Sequence, residues 1–259
     1  MSHSRHTVAE RRSKVSSRDT SLRRSDARHP RSSARTRVGR ADVSPRVAVD
    51  VVIFRIDEGE LKALLVLAKN GSFAGKWAFP GGLVPVGEAP ESTAIRELGA
   101  QTGIEEVYLE QLRTFGEPLR DPQAHVVSIA YFALLPSKVE MRDAGDKYAD
   151  VRWAAVGSLP RLAYDHNSIA AYALERLRAK LAYTNVAFSL LPEAFTLSEL
   201  QAVYETILDR RLDRRNFRKK IVALGLLRAI GRQRRGPHRP AHLYRFRRRA
   251  LMNVQIFRL

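Results

Sequence analysis

Residues 82–104 read GLVPVGEAPESTAIRELGAQTGI, and this stretch is the most informative part of the chain about the domain around it. Pro90 suits the first turn of a helix, where its missing N–H is not needed, and Gly103 suits the end of that helix. Between them, apolar residues recur at a helical spacing that predicts a stripe against the core: Ala94, Ile95 and Leu98. The stretch therefore predicts a Gly-rich turn followed by an amphipathic helix.

The opposite face of this helix is predicted to carry the chemistry. Glu97, Ala100 and Gln101 are spaced i, i+3 and i+4, so we expect them to share one face. Magnesium takes hard oxygen ligands, which protein carboxylates and substrate phosphates supply together. One carboxylate beside a neutral amide and an alanine is a poor magnesium site. Glu88 and Arg96 are better interpreted as a pair that ties the preceding loop to the helix.

The spacing resembles the Nudix box, the signature of hydrolases that cleave nucleoside diphosphates linked to another group. The matching positions are Gly82, Glu88, Arg96-Glu97-Leu98 and Gly103-Ile104. The preceding residues 77–81, WAFPG, resemble the usual lead-in. The family has two further glutamates where this chain has Ala100 and Gln101. The resemblance implies a diphosphate pocket without its catalytic carboxylates, so we predict that the protein is not an enzyme and requires no metal cofactor.

The composition is that of a globular protein. Of the 259 residues, 44% are hydrophobic, which is enough for one or two domains with a core. The chain has no Cys, so disulfide and thiol chemistry are excluded. The longest apolar run, 126–135, is too short to span a bilayer, and no apolar signal region stands at the N-terminus. We expect a cytoplasmic protein with no membrane partner.

The net charge of +18 is unevenly distributed. Residues 1–46 contain 13 Lys and Arg against 4 Asp and Glu, and residues 186–259 contain 17 against 5. The middle, with 15 against 18, is slightly acidic. This asymmetry predicts a polyanionic partner, most simply nucleic acid. Residues 1–44 hold almost no large apolar residue and are predicted to be a disordered basic arm, which either adds phosphate contacts or is dispensable.

The middle of the chain has a mixed α/β pattern. Two β-branched, apolar runs, 47–54 and 61–67, flank the turn Asp57-Glu58-Gly59 and predict a hairpin. Further strands are predicted at 107–113, 126–134 and 151–153. A last helix is predicted over 167–181, with Asp165 as its cap.

The pattern changes after residue 183. Thr196-Leu197-Ser198-Glu199 matches a capping box and predicts a helix through Leu208. A second helix is predicted from Asp213 to Gly225. Strands at 226–230 and 243–246 then flank an Arg-rich loop. Two helices joined by a short turn and followed by such a hairpin are typical of a winged helix-turn-helix.

The second helix and the hairpin carry the positive charge of this part. A winged helix places its second helix in the major groove and its hairpin against phosphates or the minor groove. The predicted DNA-binding residues are Arg214, Arg215, Asn216, Arg218 and Lys219 on the helix and Arg232, Arg234, Arg235 and Arg239 on the wing. The alternative is a solvated basic face that binds nothing.

A Nudix-like domain followed by a winged helix is similar to the Nudix-related transcriptional regulators (NrtR). The most particular matching residues include Leu162-Ala163-Tyr164-Asp165-His166, Asn216-Phe217-Arg218-Lys219 and Arg239-Pro240-Ala241. The resemblance implies a homodimeric bacterial repressor of NAD metabolism genes that ADP-ribose releases from double-stranded operator DNA. We expect that operator to be palindromic, because repressors of this kind usually dimerise on one.

The expected fold class is α+β, and three segments are predicted. A basic arm, 1–44, precedes a Nudix-like mixed-sheet α/β/α domain, 45–183, which senses the ligand; a winged helix-turn-helix domain, 184–259, follows. The candidate ligand-binding residues belong to the box and its lead-in: Trp77, Phe79, Gly82, Glu88, Arg96 and Glu97.

Two other functions are left open. The first is an active Nudix hydrolase of ADP-ribose or related nucleoside diphosphates, against which Ala100 and Gln101 count. The second is an RNA-binding protein with an inactive Nudix domain. A winged-helix pattern, in place of an aromatic stacking platform, counts against it.

Overall fold

The computed structural model describes residues 44–103, 107–137, 146–235 and 240–256. The predicted arm, apart from its last residue, and Arg239 lie outside these ranges. The elements are β1 (Arg46–Asp57), β2 (Glu60–Ala68), β3 (Trp77–Ala78), β4 (Gly81–Leu83), α1 (Pro90–Thr102), β5 (Tyr108–Phe115), β6 (Val126–Leu135), β7 (Tyr148–Ala155), α2 (His166–Tyr183), β8 (Phe195–Thr196), α3 (Leu197–Leu208), α4 (Arg214–Ala223), β9 (Leu227–Arg234) and β10 (Ala241–Phe246). In the described part of the chain, no helix is long and apolar enough to cross a membrane.

A mixed sheet of β1 to β7 forms the centre of the first part. Its main order is β3-β2-β1-β6-β5, with β4 beside β1 and β7 beside β2. β1 runs parallel to β6 and antiparallel to β2 and β4. The predicted hairpin is confirmed: Glu58 and Gly59 both have positive φ, 52° and 80°, as a tight two-residue turn requires.

Helices cover both faces of this sheet. Successive residues of a strand face opposite sides, so β1 contributes to two separate apolar clusters. Val49, Val51 and Ile53 belong to the cluster with α1, whereas Val52 and Phe54 belong to the cluster with α2. The predicted α/β/α arrangement is confirmed.

The second part is a winged helix. Thr196 and Glu199 form the predicted capping box at the start of α3, and Asp213 caps α4 by accepting from the Asn216 N–H at 2.7 Å. β8, β10 and β9 form a three-stranded sheet beside the helices. β9 continues to Arg234, so Arg232 and Arg234 lie on a strand; their predicted placement in the loop was wrong.

The two parts share α2 and a continuous apolar core. That core runs from the sheet through α2 into α3 and α4. Arg178 of α2 donates to the Ile207 carbonyl at 2.8 Å, and Thr206 donates to the Gly59 carbonyl at 3.2 Å. The returning C-terminal segment, 252–256, hydrogen-bonds to the end of α2. The helix α3, which precedes α4, therefore packs directly on the Nudix-like part.

Candidate ligand pocket and nucleic-acid interface

The box helix α1 forms where the sequence predicts it. Pro90 stands at its start, and Gly103 ends it with left-handed backbone, φ 72°, and an N–H that donates to the Gly99 carbonyl at 2.7 Å. Ala94 and Leu98 are buried against β1, but Ile95 is exposed. The prediction that Ile95 belongs to the buried stripe was wrong, because it lies one residue, about 100°, beyond Ala94 around the helix.

Glu97 is 4% exposed, and both of its carboxylate oxygens already have partners. Arg96 Nη1 donates to Oε1 at 3.1 Å, and Lys147 Nζ donates to Oε2. The same Nζ donates to the Gly81 carbonyl at 2.7 Å. Lys147 was missed by sequence reasoning, because it stands 50 residues after Glu97 in no motif.

The remaining box positions do not form one open face. Ala100 is exposed, whereas Gln101 is buried beside the core like Glu97. The prediction that these three positions lie opposite the core was therefore wrong, because Glu97 and Gln101 are buried. The buried Gln101 Oε1 has no hydrogen-bond partner among the described residues.

Glu88 and Arg96 form the predicted link between loop and helix. Arg96 Nε donates to Oε1 at 3.2 Å and Nη2 donates to Oε2 at 3.4 Å. The hydrogen bonds to Glu88 raise the pKa of Arg96. The pair holds the Gly-rich loop against α1.

Gly81 at the end of the lead-in and Gly82 at the start of the box bring the backbone close to these charges. A Cβ at Gly81 would lie 2.2 Å from the Val49 carbonyl oxygen, so no side chain fits there. A Cβ at Gly82 would lie 3.1 Å from Glu97 Oε1 and 3.3 Å from Lys147 Nζ. Gly82 therefore keeps the backbone within reach of both side chains.

The lead-in residues differ in accessibility. Trp77 is half-buried, with the Arg152 guanidinium 4.0 Å above its ring. Phe79 is 2% exposed and stacks on His166, with ring centroids 5.4 Å apart. A ring covered in this way does not fit the predicted direct ligand contact. Its backbone N–H instead donates to His166 Nδ1 at 2.9 Å, which ties the lead-in to the start of α2.

A buried charge network lies behind the lead-in. Arg120 donates to Asp165 at 2.6 Å and to Asp50 at 3.1 Å, so Asp165 binds this guanidinium and makes no side-chain cap of α2, contrary to prediction. Ser128 Oγ donates to Asp50 at 2.6 Å. Burial raises the pKa of Asp50, but His166, Arg120 and Ser128 together hold that pKa well below its usual range. In the sequence, the only sign of this network was Asp50, a charged residue within the otherwise apolar run 47–54, since a buried charge needs a partner.

The outer face of α4 carries most of the predicted DNA contacts. Phe217 and Ile221 are buried against the winged-helix core. Exposed on the other side are Arg214, Arg215, Asn216 and Lys219. Arg218 is half-buried and donates to Ser198 of α3 at 2.9 Å, so it does not point freely outward as predicted. Burial and the charge of Arg214 lower the pKa of Arg218.

The wing arginines fall into two groups. Arg232, Arg234 and Arg235 are all exposed, but only Arg234 among these three pairs with Glu199 of the capping box. A groove of about 880 Å³ lies between α4, the start of α3 and β10, and Arg214 and His242 are among its lining residues. Arg214 therefore belongs both to the groove and to the exposed face of α4.

The fold and these two surfaces define a class of protein: a Nudix-type domain joined to a basic winged helix. Comparison with known families agrees. A model of the NUDIX domain matches residues 44–177, and a model of the NrtR DNA-binding winged helix domain matches residues 187–246. The chain belongs to the NrtR family of Nudix-related regulators.

Individual relatives support this assignment. The ADPR responsive transcriptional repressor NtrR of Acinetobacter baylyi is 35% identical, over 78% of this chain and 82% of the relative. The crystal structure of Shewanella oneidensis NrtR complexed with a 27mer DNA is 34% identical with a TM-score of 0.69, and covers 78% of this chain and 93% of that chain. An ADP-ribose pyrophosphatase of Methanocaldococcus jannaschii is 38% identical, over 48% of this chain and 70% of the relative.

Proposed function

We propose that this protein is a transcriptional repressor of NAD metabolism genes that binds operator DNA through its winged helix and releases it when ADP-ribose binds the Nudix-like domain. One observation supports the proposal most strongly. The basic helix α4 is exposed and packs on the same core as the box, and in the box the carboxylate of Glu97 is already paired with Arg96 and Lys147. The Acinetobacter baylyi relative is named as an ADPR-responsive repressor, and the Shewanella oneidensis relative was crystallised with DNA. Both similarities extend over most of the chain.

The DNA-reading role falls to the accessible side chains of α4. Arg214, Arg215 and Asn216 stand in its first turn, where a helix in the major groove reaches base edges. Lys219, Arg232 and Arg235 neutralise phosphates, and Arg239, which lies outside the described residues, is predicted to do the same. Arg218 and Arg234 instead hold α4 and the wing against α3. Each donates a hydrogen bond to a residue in the first turn of α3, Arg218 to Ser198 and Arg234 to Glu199.

The repressor acts as a dimer on a palindromic operator. A single winged helix offers a small surface, and two-fold pairing doubles it. Dimerisation through the Nudix-like parts leaves both copies of α4 free. The half-sites then lie one or two helical turns apart, each about 10 base pairs.

The ligand occupies the region of the box. Glu88, Arg96 and Glu97 form one connected group of charges beside the backbone of Gly82. Trp77 supplies a half-exposed aromatic edge in the lead-in. Phe79 does not contact the ligand; it holds the lead-in against α2 through its bond to His166.

α2 couples the two sites. Its first residue, His166, accepts from the box lead-in, and Arg178 near its end binds α3. The helix has 18 residues, which span about 27 Å at about 1.5 Å each. A ligand that shifts the lead-in therefore shifts a rigid element packed on the DNA-binding helices, which is the physical connection that coupling requires.

Hydrolysis is the competing function, and the Methanocaldococcus jannaschii relative bears a hydrolase name. The box argues against it here, because Glu97 is saturated by Arg96 and Lys147 and position 100 carries no carboxylate. We assign ADP-ribose the role of effector.

A mobility-shift experiment tests the proposal. The full-length protein is mixed with promoters of NAD synthesis genes, with an unrelated promoter of equal length as control, and ADP-ribose is then added. We expect a specific shift that ADP-ribose abolishes and AMP does not. A shift equal on all promoters, or one insensitive to ADP-ribose, would contradict the proposal.

A further inference from the structure

Lys147 places a positive charge where the box presents its oxygen atoms. Its ammonium contacts the Gly81 carbonyl at 2.7 Å and one carboxylate oxygen of Glu97. The other carboxylate oxygen accepts from Arg96 at 3.1 Å. A backbone carbonyl and a carboxylate are the kind of hard oxygen ligands that divalent cations take. Here both bind an ammonium group.

The magnesium ion that the Nudix fold implies does not fit these residues. A cation at Glu97 would have to displace an ammonium already bonded to both oxygen donors, since like charges at such a distance repel. Ala100 offers no ligand, and Gln101 offers only a neutral, buried oxygen. Within the described ranges, no group of three acidic or His residues could hold a metal ion.

We infer that the Lys147 ammonium takes the place of the metal ion and neutralises the diphosphate of the bound ligand, so that the domain binds ADP-ribose without magnesium. The inference rests on the proposed function, because it concerns the same pocket. Two of the three N–H donors of Lys147 are engaged by oxygens of described residues, and its side chain is 48% exposed. Its exposed side remains open to phosphate oxygens, which lysine binds as a point charge.

Gly82 keeps that approach open. A side chain there would begin 3.3 Å from the ammonium, in the space a phosphate needs. An ammonium also differs from a metal ion in its chemistry. It neutralises charge but generates no metal-bound hydroxide, so this pocket binds a diphosphate without cleaving it.

Calorimetry of the full-length protein with ADP-ribose tests the inference, with one titration in EDTA and one in magnesium chloride. We expect affinities equal within about twofold. Binding that needs magnesium, or is more than about tenfold tighter with it, would overturn the inference and leave the proposed function intact. No binding in either buffer would overturn both.

Variants measured in EDTA separate charge from structure. Lys147→Met should weaken ADP-ribose by about tenfold or more, and Lys147→Arg should retain most of the affinity. Lys62→Met is the matched control, because Lys62 also pairs with two carboxylates, Asp57 and Glu58, at the far end of the hairpin; it should leave the affinity unchanged.

A double variant covers the case in which Lys147→Met alone fails to fold because Glu97 is left buried without its partner. Lys147→Met/Glu97→Gln removes both charges together. It should fold, as judged by circular dichroism, and should bind ADP-ribose as weakly as the single variant. Wild-type affinity of this folded double variant in EDTA would refute the inference.

Discussion

Replacing Arg120 by Met should destabilise the protein far more than removal of an exposed ion pair. The Arg120 side chain is 3% exposed and joins Asp50 of the central strand to Asp165 at the start of α2. Its loss leaves two carboxylates without their cation, one of them deeply buried. Breaking a buried pair from one side costs about 3–5 kcal/mol. Ser128 still donates to Asp50 at 2.6 Å, so we expect the lower end, about 3 kcal/mol.

Urea unfolding followed by circular dichroism measures this difference. A loss of that size corresponds to a Tm lower by about 6–12 °C in a chain of this length. Arg176→Met is the control, because Arg176 pairs with Glu110 at 2.9 Å but is 42% exposed. That variant should lose about 0–1 kcal/mol. An equal loss of unfolding free energy in the two variants would show that burial does not determine how much the Arg120 ion pairs stabilise the protein.

The pH dependence has a definite sign. Because the folded-state pKa of Asp50 lies below its ordinary value, its stabilisation is present above the unfolded pKa and is lost as the pH falls through the folded one. The difference in unfolding free energy between wild type and Arg120→Met should therefore shrink as the pH falls below about 4, the ordinary pKa of an aspartate. A difference that grows in acid would contradict this assignment.

Three further predictions concern the box, α4 and the arm. The purified protein should not hydrolyse ADP-ribose with magnesium, and turnover of about 1 to 1,000 per second would contradict this; Ala100→Glu with Gln101→Glu should strengthen manganese binding in calorimetry, most clearly when Lys147→Ala is added. Arg214→Ala should cost roughly 1–3 kcal/mol of operator affinity and relax base preference in competition mobility shifts; unchanged affinity would mean a solvated face. Deleting residues 1–44 should weaken all DNA sequences alike and flatten the salt dependence of binding; a loss confined to the operator would count against a phosphate-binding arm.

The elements with local signals were predictable from the sequence. Pro90 and Gly103 bound the box helix, and the capping box at Thr196 starts α3, because each signal lies within one turn of the helix end that it marks. The faces of α1 were harder. Gln101 is buried, although its spacing from Glu97 and Ala100 predicted a position opposite the apolar stripe.

The charged partners were not predictable, because tertiary structure brings them together. Lys147 reaches Glu97 across 50 residues, and Arg234 reaches Glu199 across 35. Charge and helical spacing correctly predicted that Arg214 is exposed. They did not predict that Arg234 pairs with Glu199. Only the fold therefore shows which of these charged side chains form ion pairs within the protein and which are exposed for binding.

Reciprocal calorimetry measures whether ADP-ribose and operator DNA exclude each other on this protein. ADP-ribose is titrated into the free protein and into the protein saturated with an operator selected by footprinting. If ADP-ribose releases DNA, thermodynamic linkage requires DNA to weaken ADP-ribose by the same factor, about 5- to 150-fold. We predict a weaker affinity in the complex, with the same factor recovered when operator is titrated with and without ADP-ribose. Equal ADP-ribose affinities in the presence and absence of operator would contradict the account of this protein as an ADP-ribose-responsive repressor.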